Sequence, residues 1–282
     1  MRRTLRRCVT SCGKLLSLFL LVAGGATVQP AVLAASRPVS SVPQSTVAVS
    51  GAHPLACPEG IEETAAELLQ ITSDSGVQAA CRKSSTNSDH AIVAFARMAT
   101  NKYQVVVDIA VVDIPSGNIL SHRHTTDDFE WTGGDWAAGF VSMAVDTARY
   151  DLAPGLRAFG IRIEQHEGCG EGCEITSTQL ALYVQRGNKL QKLLYTSVGE
   201  HEDGSGPDGI GYAAHRSVTV LCIGGQRSHG LANIWSAESR VYSDSSDEAV
   251  DIDAADIPCG PTAPNRALWR YNGRQYVGTL DP

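Results

Sequence analysis

Two histidines separated by one residue, His122 and His124, are the most closely spaced histidines in this chain. They fall in a run with strand character, where alternate residues share a face, so both imidazoles point the same way. That spacing can bring two ring nitrogens to one zinc ion. Asp127 and Asp128 follow closely, and His166, His201 or His215 could add a third ligand from another loop. The plainer reading is an exposed strand end that happens to carry two histidines.

Three other groupings could do chemistry. Cys169 and Cys173 enclose Gly-Glu-Gly, with His166 just before them. In an oxidising compartment such a pair reads as a small disulfide loop, and it lacks the two-residue spacing of a redox centre. The acidic runs at 200–208 and 244–256 could hold Ca²⁺ through carboxylate and carbonyl oxygens, although neither follows the EF-hand loop pattern. Trp131 and Trp136 sit beside Gly133-Gly134 among Asp127, Asp128, Glu130 and Asp135. Aromatic and acidic side chains concentrated on one loop suit the recognition of a glycan or a protein partner. The four residues expected to bind are therefore Trp131, Trp136, Asp127 and Asp128.

Familiar catalytic signatures do not occur after residue 35: no G-x-S-x-G, no S-x-x-K, no H-E-x-x-H and no glycine-rich phosphate loop. Two function classes stay open. One is an exported, non-enzymatic binding or interaction protein needing no cofactor. The other is a metal-dependent hydrolase built on His122, His124 and the acidic loops, with zinc or calcium as its ion.

The elements that must position these residues begin after a secretory leader. Arg2, Arg3, Arg6, Arg7 and Lys14 precede an apolar run over 15–23 that is short for a membrane span. Val32 and Ala34 fit the −3 and −1 positions of a cleavage site, with Leu33 and Ala35 the neighbouring option, and residues 1–35 are read as a signal peptide. Its removal takes five of the 23 basic residues and none of the 30 acidic ones, leaving 18 against 30, a formal charge of −12. That charge disfavours nucleic acid and anionic membrane as partners. Residues 36–52, rich in Ser, Pro and Val, read as a flexible linker. Residues 53–282 then form one disulfide-bearing domain, periplasmic or extracellular. Its six cysteines pair most simply as Cys57–Cys81, Cys169–Cys173 and Cys222–Cys259.

Within that domain the periodicity predicts one helix over 58–72, with Ile61, Ala65, Leu68 and Leu69 as its apolar stripe. Everything else reads as strands. The clearest block is a four-stranded meander over 140–198, whose last hairpin turns at Gly187-Asn188. A regular register there puts Leu180, Leu182, Val184, Leu193 and Tyr195 on one face. A second hairpin at Asn272-Gly273 would set Trp269 opposite Tyr276. The fold class that follows is all-β: an antiparallel sandwich or a propeller-like array of hairpins, with a short N-terminal helical unit.

Overall fold

The computed structural model describes residues 56–72, 76–99, 104–129, 139–170, 173–204, 214–243 and 252–280. The expected leader and linker, residues 1–52, lie outside them, as do Trp131 and Trp136. The fold is all-β with one helix, α1 (Ile61–Leu68). Twelve strands follow: β1 (Gln78–Lys83), β2 (His90–Met98), β3 (Val105–Asp113), β4 (Ile119–Thr125), β5 (Gly139–Ala153), β6 (Leu156–Gly170), β7 (Cys173–Arg186), β8 (Lys189–Gly204), β9 (Ala214–Ser228), β10 (Leu231–Ser243), β11 (Arg266–Tyr271) and β12 (Tyr276–Leu280). They join in one sheet in the order β1-β2-β3-β4-β8-β9-β10-β11-β12, and β5-β6-β7 branches from β8. Every pairing is antiparallel except β4 with β8, a parallel bridge at His122 and Lys189.

The β-branched run of β3 is buried on both faces, as its composition demands. One face, Val105, Val107, Ile109 and Val111, packs with Ile92, Ala94 and Ala96 of β2 against Val145, Ile161, Ile163 and Tyr183 of the branch. The other face, Ala110 and Val112, lies with Val93 and Phe95 under Ile61 and Ala65 of α1. β7 is shared between two cores. Ala181 and Tyr183 belong to the first, while Leu180, Leu182 and Val184 pack with Leu231, Ile234, Tyr271 and Tyr276.

The helix is shorter than its apolar pattern suggests, because Gly60 and Gln70 in the left-handed region bound it. Leu68, expected in the stripe, is 54% exposed at the last turn, and Leu69 packs against the cluster instead. The segment carrying Cys81 is a strand. Cys57–Cys81 staples it to the residues before α1, and Cys222–Cys259 ties β9 to the segment before β11. Among the described residues no helix is long and apolar enough to cross a membrane.

Two hairpin registers differ from the regular expectation. In β7–β8, Arg186 faces Lys189 and Val184 faces Gln191 as expected, but a bulge at Leu193 moves Leu182 opposite Leu194 and Leu180 opposite Thr196. The extra residue turns Tyr195 to the opposite face, where it meets Phe129 edge-on. In β11–β12 the Asn272 carboxamide oxygen accepts from the backbone of Arg274 and Gln275. This closes a four-residue turn, so Tyr271 faces Tyr276 and Trp269 faces Gly278.

Candidate functional site

Asp108 is the organising residue. It is a lone carboxylate in the apolar run of β3, 5% exposed, on the face that α1 covers further along. A buried carboxylate must be hydrogen-bonded, and neighbouring strands supply the donors. His124 lies directly opposite on β4 and His122 two residues before it, so alternation brings both imidazoles to this face. His124 Nδ1 is 2.8 Å and His122 Nε2 3.0 Å from Asp108 Oδ1. Arg97 of β2 donates to Oδ2 at 3.2 Å. Burial pushes the Asp108 carboxyl up, but the bonds from His124, His122 and Arg97 outweigh it and hold the group below its ordinary range. An ionised carboxylate only accepts, so the proton sits on Nε2 of His122 and on Nδ1 of His124.

The sheet surface around this cluster opens where α1 ends. Leu69, Ile71, Val77 and Met98 give one wall most of its apolar surface, with Gln70 and Thr72 among them, and Arg97, Asp108 and His124 form the charged and polar floor of a cleft of about 510 Å³. Pairing two histidines on one face was legible from their spacing. Arg97 and Asp108 were not, although an aspartate inside Val-Val-Val-Asp-Ile-Ala-Val-Val is itself a signal that a partner is needed.

The other expected contributors sit elsewhere. His201 lies twelve residues along β8 from Lys189, the residue that bridges to His122, or roughly 40 Å at strand rise. His166 and His201 flank Thr176 on neighbouring strands, at that same far end. His215 is there too, with Nε2 2.8 Å from Glu200 and Nδ1 2.9 Å from Glu202. None of the three joins His122 and His124, because β4 meets β8 only near its start. Among the described residues, no group of three or more His, Cys, Asp or Glu is arranged to hold a metal ion.

The expected loops at the far end are largely ladder. β6 and β7 pair as far as Gly170 and Cys173, and β7 and β8 as far as Cys173 and Gly204. The side chains of Cys169 and Cys173 lie outside the described part. Glu200 and Glu202 of the first acidic run are committed to His215. In the second run, the Asp253 carboxylate accepts from Ala255 N at 2.8 Å and caps a single 3-10 turn, Ala254–Asp256.

Asp127 is exposed, but Asp128 is an interior anchor with 3% of its surface exposed. Arg123 grips both its oxygens, Lys192 Nζ lies 2.9 Å from Oδ1, and the Tyr183 hydroxyl donates to Oδ2 at 3.0 Å. Burial raises the Asp128 carboxyl, while Arg123 and Lys192 bring it down further than that. These bonds fasten residues 126–129 to the sheet, so Asp128 has no oxygen facing solvent for a partner. Comparison with protein-family models, with curated proteins and with solved structures finds no match.

Proposed function

We propose that the chain is an exported binding protein that holds its ligand in the cleft beside α1 and does no chemistry on it. The observation that carries this reading is the Asp108 cluster. The one buried carboxylate in the cleft already accepts from Arg97, His122 and His124, and a carboxylate so engaged is a poor general base. Leu69, Ile71, Val77 and Met98 supply apolar lining, and the volume falls in the range of small-ligand sites. The two disulfides suit an oxidising, exported location. A fragment screen of the disulfide-intact chain by backbone amide shifts tests the proposal. Hits should cluster on Val77, Arg97, Met98 and His124; hits spread over the surface refute it.

A metal-dependent hydrolase has one observation in its favour. A carboxylate accepting from a histidine ring nitrogen is the arrangement that orients metal-binding imidazoles, and Asp108 does this for two. Zinc at one equivalent in the purified protein, lost in the His122→Ala, His124→Ala double variant, would favour that alternative.

A further inference from the structure

We propose that the cleft takes a small organic carboxylate with an apolar body, its carboxylate against Arg97 and its body along Leu69, Ile71, Val77 and Met98. This rests on the reading of the cleft as a binding site and names the chemistry of its ligand.

The unused donors of Arg97 carry the inference. Asp108 is the only carboxylate lining the cleft among the described residues, and most of its accepting capacity is used: Oδ1 accepts two bonds and Oδ2 one. Its negative charge is matched by the Arg97 guanidinium. Arg97, by contrast, gives Asp108 one N–H through a single terminal nitrogen, and a guanidinium carries five in a planar fork. Arg97 lines the cleft, and its side chain is 37% exposed. A fork with spare donors is built for a planar, two-oxygen acceptor. Asp108 also fixes the fork's position, which lowers the ordering cost of binding.

An ammonium ligand would have to compete with Arg97, His122 and His124 for a carboxylate that already accepts three bonds. A purely apolar ligand would leave the fork desolvated and unpaired, which is costly. The apolar wall excludes a bare inorganic anion as the best fit, because such an ion would cover none of it. A second cleft, of about 400 Å³ at β10, is acidic among the described residues: Glu238, Asp253 and Asp256 against Arg240. Among the described residues the α1 cleft thus lacks the acidic excess found at β10.

The test is a titration of the disulfide-intact chain with hexanoate and with hexanamide, its neutral analogue, followed by backbone amide shifts at pH 7. Hexanoate should shift Val77, Arg97, Met98 and His124 saturably and bind at least tenfold more tightly than hexanamide. Arg97→Gln should erase that preference, Arg97→Lys should keep part of it, and Met98→Gln should weaken both probes alike. Equal binding of the two probes overturns the carboxylate assignment while leaving the cleft a binding site. Absence of cleft shifts with either probe overturns both. If Arg97→Gln fails to fold, Arg97→Lys and added salt still decide: a hexanoate preference indifferent to both refutes the role of the fork.

Discussion

Replacing Asp108 with Asn keeps the size of the side chain and removes its charge. It also converts one acceptor into an NH₂ donor, which must then face either Arg97 or the two histidines. Each hydrogen bond to a charged group contributes about 1.5–3 kcal/mol, and breaking a buried pair costs about 3–5 kcal/mol. The partners here are not fully buried: the side chains of Arg97, His122 and His124 are 37%, 34% and 54% exposed. Water recovers part of what they lose, so the expected destabilisation is about 2–4 kcal/mol. Urea unfolding with disulfides intact measures it, as a fall in midpoint of roughly 1 M at unchanged slope. The pH dependence supplies a second check. The Asp108 carboxyl is held below its ordinary value of 3.8, so its contribution is complete above that value and fades as pH falls through the lower, folded-state value. The gap between the parent chain and Asp108→Asn should therefore be full near neutral pH and narrow below about pH 3.8. A variant within about 0.5 kcal/mol of the parent at pH 7 would refute the view that this carboxylate ties β2, β3 and β4 together.

Further outcomes follow from the core. Gly160→Ala would place a Cβ 2.5 Å from Leu180 Cδ1, and overpacking of this kind should cost about 1–3 kcal/mol in the same unfolding assay. Gly225→Ala, with open space at its Cβ, serves as the near-neutral control. Tyr183→Phe removes one of the donors to Asp128 and should lower stability by about 1.5–3 kcal/mol without changing the circular dichroism of the native state. Non-reducing peptide mapping should recover Cys57–Cys81 and Cys222–Cys259. From their separations of 24 and 37 residues, opening either should cost roughly 3–4 kcal/mol on chain-entropy grounds.

Much of the fold was legible because the signals were local. The Gly187-Asn188 turn, the β-branched run of β3 and the alternation around Ile161 and Ile163 each act over a few residues. Both described disulfides followed from proximity along the chain. What escaped depends on a choice between two nearly equal local solutions. One extra residue at Leu193 is invisible in a run of Leu, Lys and Gln, yet it decides which core receives Tyr195. At Asn272 the side-chain carboxamide competes with a two-residue turn and wins. The strand ends at Gly170 and Gly204 looked like loops because glycine and acid are poor strand formers, and long neighbouring strands carried the ladder through them. The candidate site was half legible. Two histidines on one face could be read from spacing, whereas their meeting with Arg97 and Asp108 is a matter of which strand lies beside which.

The strand order has a consequence of its own. Every pairing but one joins strands that are consecutive in the chain, and the exception, β4 with β8, is a single bridge. The molecule is thus two runs of hairpins, α1 through β4 and β5 through β12. The seam between them is closed mainly by side chains such as Val107, Ile109, Ile163 and Leu190, with little help from backbone hydrogen bonds. A seam of that kind resembles the interface between two subunits more than the interior of one sheet. Severed between β4 and β5, the two pieces would have a reason to reassociate, and the cleft, built wholly on the first piece, would travel with it.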